Sequence, residues 1–176
     1  VRKDRSSILV GSGTCGRAAG ALEVLSAFQN ELSARSLDNE VQLVQVGCLG
    51  LCYAEPLVEI KDVMGKRILF QGVNPGIVPE LVEFHLERGE PVLTSALGIM
   101  EGEPINGIPL FSDLPMIKRQ FRIALHNCGH IDPTNINHYI ARGGYSSLAS
   151  VLTMDPEDVI DIVEKSLLRA MFPIRK

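Results

Sequence analysis

The chain has 176 residues, of which 45% are hydrophobic and 22% charged, so it can bury a core in one domain or two small ones. A net charge of −4 and the absence of tryptophan argue against the basic footprint and aromatic platform of nucleic-acid-binding proteins. Every apolar run is too short for a membrane span, no signal-peptide pattern is present and the four cysteines lack disulfide-framework spacing, so we expect a cytoplasmic protein.

The first part of the chain, residues 1–90, alternates strand and helix patterns. The predicted elements are strands at 8–10, 41–46, 57–60 and 66–70 and helices at 17–33 and 75–88. The apolar residues at helical spacing in the first helix, which we expect to face the core, are Ala18, Ala21, Leu22, Leu25, Phe28 and Leu32. The order strand, helix, strand, then strand, strand, helix predicts an α/β fold of thioredoxin-like order with a right-handed crossover.

The second part begins with a predicted linker over residues 91–115. Glycine and proline recur so often there that only short strands or an extended segment are expected. Residues 116–176 are predicted to form a small, mostly helical segment. Asp132-Pro133 and Asp155-Pro156 each combine an N-cap with proline at the first helical position, and a further short helix is predicted at 145–152.

Three cysteines lie in glycine-rich loops that follow predicted strands. Cys15 follows the first strand, and Cys48 and Cys52 follow the second. If these two strands are parallel, their carboxyl ends share one edge of the sheet, and the loops can face each other. Thiolates are the ligands that iron–sulfur centres require, so the pattern predicts such a centre with Cys15, Cys48 and Cys52 as metal ligands. The alternative is that all three are small residues buried in tight turns.

Other chemistry competes for the same residues. Zinc could take the three thiolates and a distant histidine, although no histidine is near them in sequence. Cys15 at a helix start could be a redox-active thiol, but the C-x-x-C spacing of a thioredoxin-like dithiol is absent. Residues 11–16 match G-x-G-x-x-G, yet no acidic residue follows at the end of the second strand, which favours a simple glycine turn.

Two further residues, Cys128 and Glu55, are candidates for a functional role. Cys128 lies between His126 and His130, which is compatible with a Cys/His metal site, but the favoured interpretation is a small buried residue with the histidines solvating a helix entry. Glu55 could be a turn acid or a packing element, since no second carboxylate pairs with it for acid–base work. No catalytic residue is predicted.

Four motifs carry a resemblance to a known family. Residues 13–21 (GTCGRAAGA) and 47–58 (GCLGLCYAEPLV) resemble the thioredoxin-like [2Fe-2S] ferredoxin domain, especially its fused form at the start of NADH-oxidising flavoprotein subunits. Residues 122–133 (RIALHNCGHIDP) and 139–145 (YIARGGY) resemble the opening of the complex I 51-kDa-type (F) subunit. The same two-part start is typical of diaphorase subunits of bifurcating hydrogenases, NADP-reducing hydrogenases and NAD-dependent formate dehydrogenases.

The resemblance implies which residues would hold a cluster. It assigns Cys15, Cys48 and Cys52 to three of the four [2Fe-2S] ligands, while the family's fourth cysteine falls near Gly11, where this chain has Gly11 and Ser12. A serine ligand would complete the set. The alternative is a cluster-free structural domain that only mediates subunit interaction.

The resemblance also implies what the chain does not do alone. The family binds FMN and NAD through a later glycine-rich segment, S-G-L-R-G-R-G-G-A-G-F-P, but residues 166–173 (SLLRAMFP) lack its glycines. FMN, NAD and NADH oxidation are therefore not expected in this chain. The expected function is an electron-transfer or docking module of an NADH-linked oxidoreductase, with other subunits of an NADH dehydrogenase, hydrogenase or formate dehydrogenase as partners.

Overall fold

The computed structural model describes residues 5–101, 103–105 and 107–168. The chain divides into two compact units, Val1–His138 and Tyr139–Lys176. The strands are β1 (Ser6–Gly11), β2 (Val41–Val46), β3 (Val58–Lys61), β4 (Arg67–Phe70) and β5 (Ala96–Glu101). The helices are α1 (Thr14–Ala18), α2 (Ala21–Ala34), α3 (Val78–Glu80, continuing as a π-helix over Leu81–Glu87), α4 (Ile136–Ala141), α5 (Ser146–Val151) and α6 (Pro156–Lys165), with 3₁₀ turns at Cys52–Ala54 and Phe111–Asp113.

The five strands form one mixed sheet in the order β2-β1-β3-β4-β5. β1 pairs in parallel with β2, and Gly11 lies opposite Val46 at the end of both strands. β1 pairs antiparallel with β3, so Val10 lies opposite Val58 at the start of β3. The ends of β1 and β2 and the start of β3 therefore lie at one edge of the sheet. This edge positions the candidate site.

Helices cover one face of the sheet. Alternate residues of the strands point to this face and meet the apolar stripes of α2 and of the helix that begins with α3. The fully buried side chains Phe28 and Phe70 lie in this core. Loop residues cover part of the opposite face, where Leu49, Leu51 and Leu57 pack with Leu69. The predicted α/β class is confirmed by this arrangement.

The first predicted helix differs from the observed one. Gly20 adopts a left-handed backbone conformation (φ 100°) and divides the predicted 17–33 helix into α1 and α2. Ala18, in α1, is exposed, and Leu22, in α2, is 41% exposed, so neither lies on the core face as predicted. Val24, absent from the predicted face, is fully buried. The apolar residues keep helical spacing across Gly20, so the sequence pattern gave no sign of the break.

The predicted linker contains a strand of the sheet. β5 lies within residues 91–115 and pairs antiparallel with β4, with register irregularities along the ladder. This agrees with the expectation of short strands in a segment rich in glycine and proline. The boundaries proposed at residues 90 and 115 stay predictions.

The second unit is helical but has no interior of its own in residues 139–168. No residue in this range is buried, and apolar side chains such as Ile160, Ile162 and Val163 in α6 are more than half exposed. The predicted N-cap is confirmed at α6, where the Asp155 side chain accepts a hydrogen bond from the backbone N–H of Glu157. The segment 166–173 lies partly outside the described residues. No helix in the described ranges is long and apolar enough to cross a membrane.

A buried carboxylate pairs with a half-buried arginine on the neighbouring strand of the sheet. Glu59 on β3 has a side chain only 3% exposed, and its carboxylate accepts hydrogen bonds from the guanidinium of Arg67 on β4, with Nε 2.6 Å from Oε1. Arg67 also reaches the exposed Glu101 on β5, at 3.1 Å. Burial raises the pKa of Glu59, and the charge and hydrogen bonds of Arg67 oppose this shift. Arg67 therefore links β3, β4 and β5 through its two glutamate partners, at the cost of desolvating the Glu59 carboxylate.

A buried histidine makes stability depend on pH. His85 is fully buried, its ring packs edge-on against Phe70 with centroids 5.2 Å apart, and burial lowers its pKa below 6.5. Below pH 6.5 the unfolded chain binds a proton that folded His85 rejects, so stability falls as the pH falls through that value. We expect His85→Leu to remove about 1 kcal/mol of this acid-induced loss between pH 7 and 5.

Urea-induced unfolding at several pH values measures this effect. The difference between wild type and His85→Leu isolates the histidine, because the buried carboxyls titrate in both proteins. Parallel pH profiles for the two proteins would show that His85 does not carry the dependence.

Candidate metal centre

Close backbone packing fixes the position of Cys15. β1 ends at Gly11, and Cys15 lies in the first turn of α1 after a two-residue connection. Gly16 is buried against the strand end, and a Cβ at Gly16 would lie 2.2 Å from the carbonyl oxygen of Gly11. Only glycine permits this approach, which sets the exposed Cys15 side chain above the sheet edge.

The second loop holds Cys48 and Cys52 by burying the residues between them. Leu49 and Leu51 are 6% and 1% exposed, whereas Cys48 is half-buried and Cys52 exposed. Gly50 has φ 87°, and its backbone N–H donates a hydrogen bond to the Cys48 sulfur at 3.1 Å. The apolar residues thus anchor the loop and leave both sulfur atoms on its outer side.

The structure brings the three predicted cysteines together. The pKa of Cys52 is raised, chiefly by its polar contact with the Cys15 thiol, while a polar contact with the Cys48 thiol lowers it. The pKa of Cys48 is raised chiefly by burial, while the Gly50 N–H favours its thiolate. The three sulfur atoms therefore form one group, although their role as metal ligands stays a prediction. Gly13 packs closely against Cys48, since a Cβ at Gly13 would lie 3.1 Å from the Cys48 Cβ. This close approach agrees with the interpretation of residues 11–16 as a glycine turn.

The Glu55 side chain lies beside the three cysteines, a position that the sequence alone did not predict. Its Oε2 accepts a hydrogen bond from the Leu57 N–H at 2.9 Å, and its buried Oε1 has no hydrogen-bond partner in the described part of the chain. Burial raises the pKa of Glu55, an effect that the Leu57 N–H and the nearby Cys48 thiol oppose. A Cβ at Gly11 would lie 3.4 Å from Oε2 and 3.7 Å from Oε1. The carboxylate thus fills the space in front of Gly11.

Ser12 is held by its backbone at this edge. Its N–H donates to the carbonyl of Val46 at 2.9 Å, which extends the pairing of the two parallel strands beyond Gly11. Its carbonyl accepts a hydrogen bond from Nε of Arg17 at 3.1 Å. These bonds fix the course of the chain between β1 and α1.

A later segment packs against the cysteine loop from outside. Arg122 donates a hydrogen bond from Nη2 to the carbonyl of Leu49 at 2.7 Å. Gly129 has φ 80°, and a Cβ there would lie 2.3 Å from Cδ2 of Leu49. The half-buried Cys128 lies in this segment. The segment therefore braces the loop between Cys48 and Cys52.

A single protein-bound metal ion such as zinc needs at least three ligands grouped around one point. Among residues 5–101, 103–105 and 107–168, no three His, Cys, Asp or Glu side chains are grouped so that they could hold one ion. In these residues, neither a zinc site on the three cysteines nor a Cys/His site around Cys128 is assembled. A [2Fe-2S] cluster divides its ligands between two irons and needs pairs of donors. Cys52 neighbours both Cys15 and Cys48 and would share an iron with only one of them, so the three thiols would supply both ligands of one iron and one ligand of the other.

Comparison with known proteins gives the family. No family model matches the chain. The chain is 36% identical over 91 residues to the NADP-reducing hydrogenase subunit HndB of Solidesulfovibrio fructosivorans, covering 52% of this chain and 71% of that protein. It is 35% identical over 72 residues to the 2Fe-2S ferredoxin of Clostridium pasteurianum, covering 41% and 68% respectively.

Two further similarities extend this result. The chain is 58% identical over 52 residues to the NADP-reducing hydrogenase subunit HndC of S. fructosivorans, which covers 30% of this chain but only 11% of that protein. A thioredoxin-like [2Fe-2S] ferredoxin from Aquifex aeolicus superimposes with a TM-score of 0.50 at 22% identity, over 56% of this chain and 96% of that one. This similarity confirms the thioredoxin-like fold. The chain belongs to the family that includes HndB and the 2Fe-2S ferredoxin of C. pasteurianum.

Proposed function

We propose that the chain binds a [2Fe-2S] cluster through Cys15, Cys48 and Cys52 and serves as an electron-transfer module of a hydrogenase or related NADH-linked complex. The observation that carries this proposal is the meeting of the three thiols at one sheet edge. Membership of a family that includes a 2Fe-2S ferredoxin and a hydrogenase subunit supports it. A bound cluster would supply one-electron transfer at that edge.

The protein's own residues would define the environment of the cluster. Cys15 and Cys52 are exposed, so the outer side of the site is open to a redox partner. Cys48 lies deeper, and the Gly50 N–H points at its sulfur. Hydrogen bonds to cluster sulfurs and solvent exposure are two of the factors that set the reduction potential. The Leu49 and Leu51 anchors hold these groups in place on binding and release of an electron.

The docking part of the proposal rests on the second unit. The helices α5 and α6 bury no residue in their described ranges, yet they carry Leu148, Ile160 and Ile162 about half exposed. Exposed apolar side chains of this density are typical of interaction surfaces. The partners we propose are other subunits of an NADP-reducing hydrogenase, NADH dehydrogenase or formate dehydrogenase complex, in the arrangement of the 51-kDa-type flavoprotein.

Anaerobic iron and sulfide reconstitution tests the cofactor. We expect the wild type to bind two irons and two sulfides per chain, with charge-transfer absorbance and an EPR signal only after reduction. Cys48→Ser and Cys52→Ser should lose most of the bound iron, because each removes a soft ligand. Cys128→Ser is the matched control and should retain it. A wild type that stays colourless and iron-free would refute the cluster.

A cluster-free interaction domain is the second candidate function. The exposed apolar helices favour it, since they require no cofactor to bind a partner. It predicts that Cys48→Ser leaves folding and partner binding unchanged. Co-purification of the wild type and this variant with the partner subunit separates the two functions.

A further inference from the structure

Three cysteines leave a two-iron cluster one ligand short. The parallel pairing of β1 and β2 and the antiparallel pairing of β1 and β3 bring Gly11 next to Leu57 at the site, and the Gly11 N–H donates to the Leu57 carbonyl at 2.9 Å. Gly11 has no side chain to offer. Whatever completes the donor set has to approach from a neighbouring element.

Glu55 occupies the place where a side chain from position 11 would point. A Cβ at Gly11 would lie 3.4 and 3.7 Å from the two Glu55 carboxylate oxygens, and a Cβ at Gly16 would lie 3.1 Å from Oε2. The absence of both side chains is what opens this volume to the carboxylate. The same carboxylate acts electrostatically on the thiols of Cys48 and Cys52.

We infer that the Glu55 carboxylate is the fourth protein ligand of the cluster, in place of a cysteine at position 11. This inference rests on the proposed function. Its Oε2 is already held by the Leu57 N–H, whereas the buried Oε1 has no hydrogen-bond partner in the described residues and is available to a metal. A buried carboxylate oxygen without a partner is uncommon and calls for a ligand or an ion.

The charge balance supports a carboxylate in this role. Each cysteine loses one proton on binding iron and contributes one negative charge, and Glu55 contributes the same single charge as a carboxylate. The cluster therefore keeps the total ligand charge of a four-cysteine site. A Ser12 ligand would have to lose the proton of an alcohol, which is far less acidic. The oxygen donor is also harder than sulfur, so it favours the ferric state of the iron it binds.

The ligand role has consequences that differ from those of a merely structural carboxylate. In the wild type one iron would have mixed oxygen and sulfur ligands and the other only sulfur ligands. The two ferric irons would then be inequivalent in Mössbauer spectra of protein reconstituted with ⁵⁷Fe. A variant with four cysteine ligands would have two similar irons and a more positive reduction potential.

The test compares four variants by iron content, EPR spectrum and reduction potential. Glu55→Gln keeps an oxygen that can accept the Leu57 N–H but lacks the charge, and should lose at least half of the bound iron. Glu40→Gln removes an exposed carboxylate and should match the wild type, as should Ser12→Ala. The double variant Gly11→Cys with Glu55→Ala should recover the iron with a more positive potential. Circular dichroism of the iron-free proteins checks that each is folded.

The outcomes separate the inference from the function it rests on. If the wild type binds a cluster with two equivalent irons, or if Glu55→Gln retains it while Ser12→Ala loses it, the Glu55 ligand is refuted and the proposed function stands. If the wild type takes up no iron, the proposed function itself fails. If Glu55→Gln does not fold, the Mössbauer spectrum of Ser12→Ala decides the question, because two irons that become equivalent on loss of the serine hydroxyl would refute the Glu55 ligand.

Discussion

Gly16→Ala should lower the free energy of unfolding by about 3 kcal/mol and displace Cys15 from the other thiols. The added Cβ would lie 2.2 Å from the Gly11 carbonyl oxygen and 3.1 Å from Oε2 of Glu55. The Gly11 oxygen is a backbone atom and cannot rotate away as a side chain could. The clash can therefore be relieved only if α1 moves away from β1. Urea-induced unfolding of the iron-free protein measures the loss, and iron uptake measures the displacement.

Gly47→Ala is the matched control for this prediction. Gly47 lies beside the same site, but the nearest atom to its added Cβ is 4.0 Å away, so the alanine has space. We expect a change in the free energy of unfolding within about 0.5 kcal/mol, as for most substitutions away from special features. Equal losses in the two variants would show that the contact between α1 and β1 is not the cause.

Arg67→Met should lower the free energy of unfolding by about 3–5 kcal/mol at neutral pH. It leaves the carboxylate of Glu59, whose side chain is 3% exposed, without its positive partner. The double variant Arg67→Met with Glu59→Leu should recover most of the loss, because replacing both members of a buried pair by apolar residues is often neutral. Glu101→Gln removes only the exposed partner of Arg67 and should cost less than about 1 kcal/mol.

The pH dependence of the Arg67→Met deficit gives a second measurement. The pKa of Glu59 is already raised above 4.5 by burial, and loss of Arg67 raises it further. A folded-state pKa above the unfolded value means that the folded protein binds more protons, so stability falls as the pH rises between the two values. The deficit should therefore be smaller at pH 5 than at pH 8 in urea-induced unfolding. A deficit that is the same at both pH values would contradict the buried-charge explanation.

The alternation of apolar residues and the capping residues predicted the bounds of individual strands and helices. β2 has the predicted bounds, 41–46, because its alternating residues lie on the two faces of the sheet. α6 begins at the predicted proline after Asp155. The break at Gly20 was not predicted, since a left-handed glycine is a backbone state that periodicity does not encode. Within α2, the buried face includes Val24 in place of the predicted Leu22.

Only the part of the site that follows the parallel strands β1 and β2 could be predicted from the sequence. Cys15 and the Cys48–Cys52 loop follow β1 and β2, and one rule about strand ends sufficed to place them together. Glu55 joins them because β3 pairs antiparallel with β1, a long-range pairing that the sequence alone did not define. The absence of a cysteine near Gly11 was visible, but the group that fills the space lies 44 residues further along the chain.

The lack of buried residues in residues 139–168 has a consequence for thermodynamic measurements on this chain. Unfolding a segment that buries little apolar surface adds little to the heat-capacity change or to the denaturant m value. Both quantities should be close to those of the first unit alone, although the chain is longer. They should rise when a partner covers α5 and α6, so the m value itself becomes a measure of assembly.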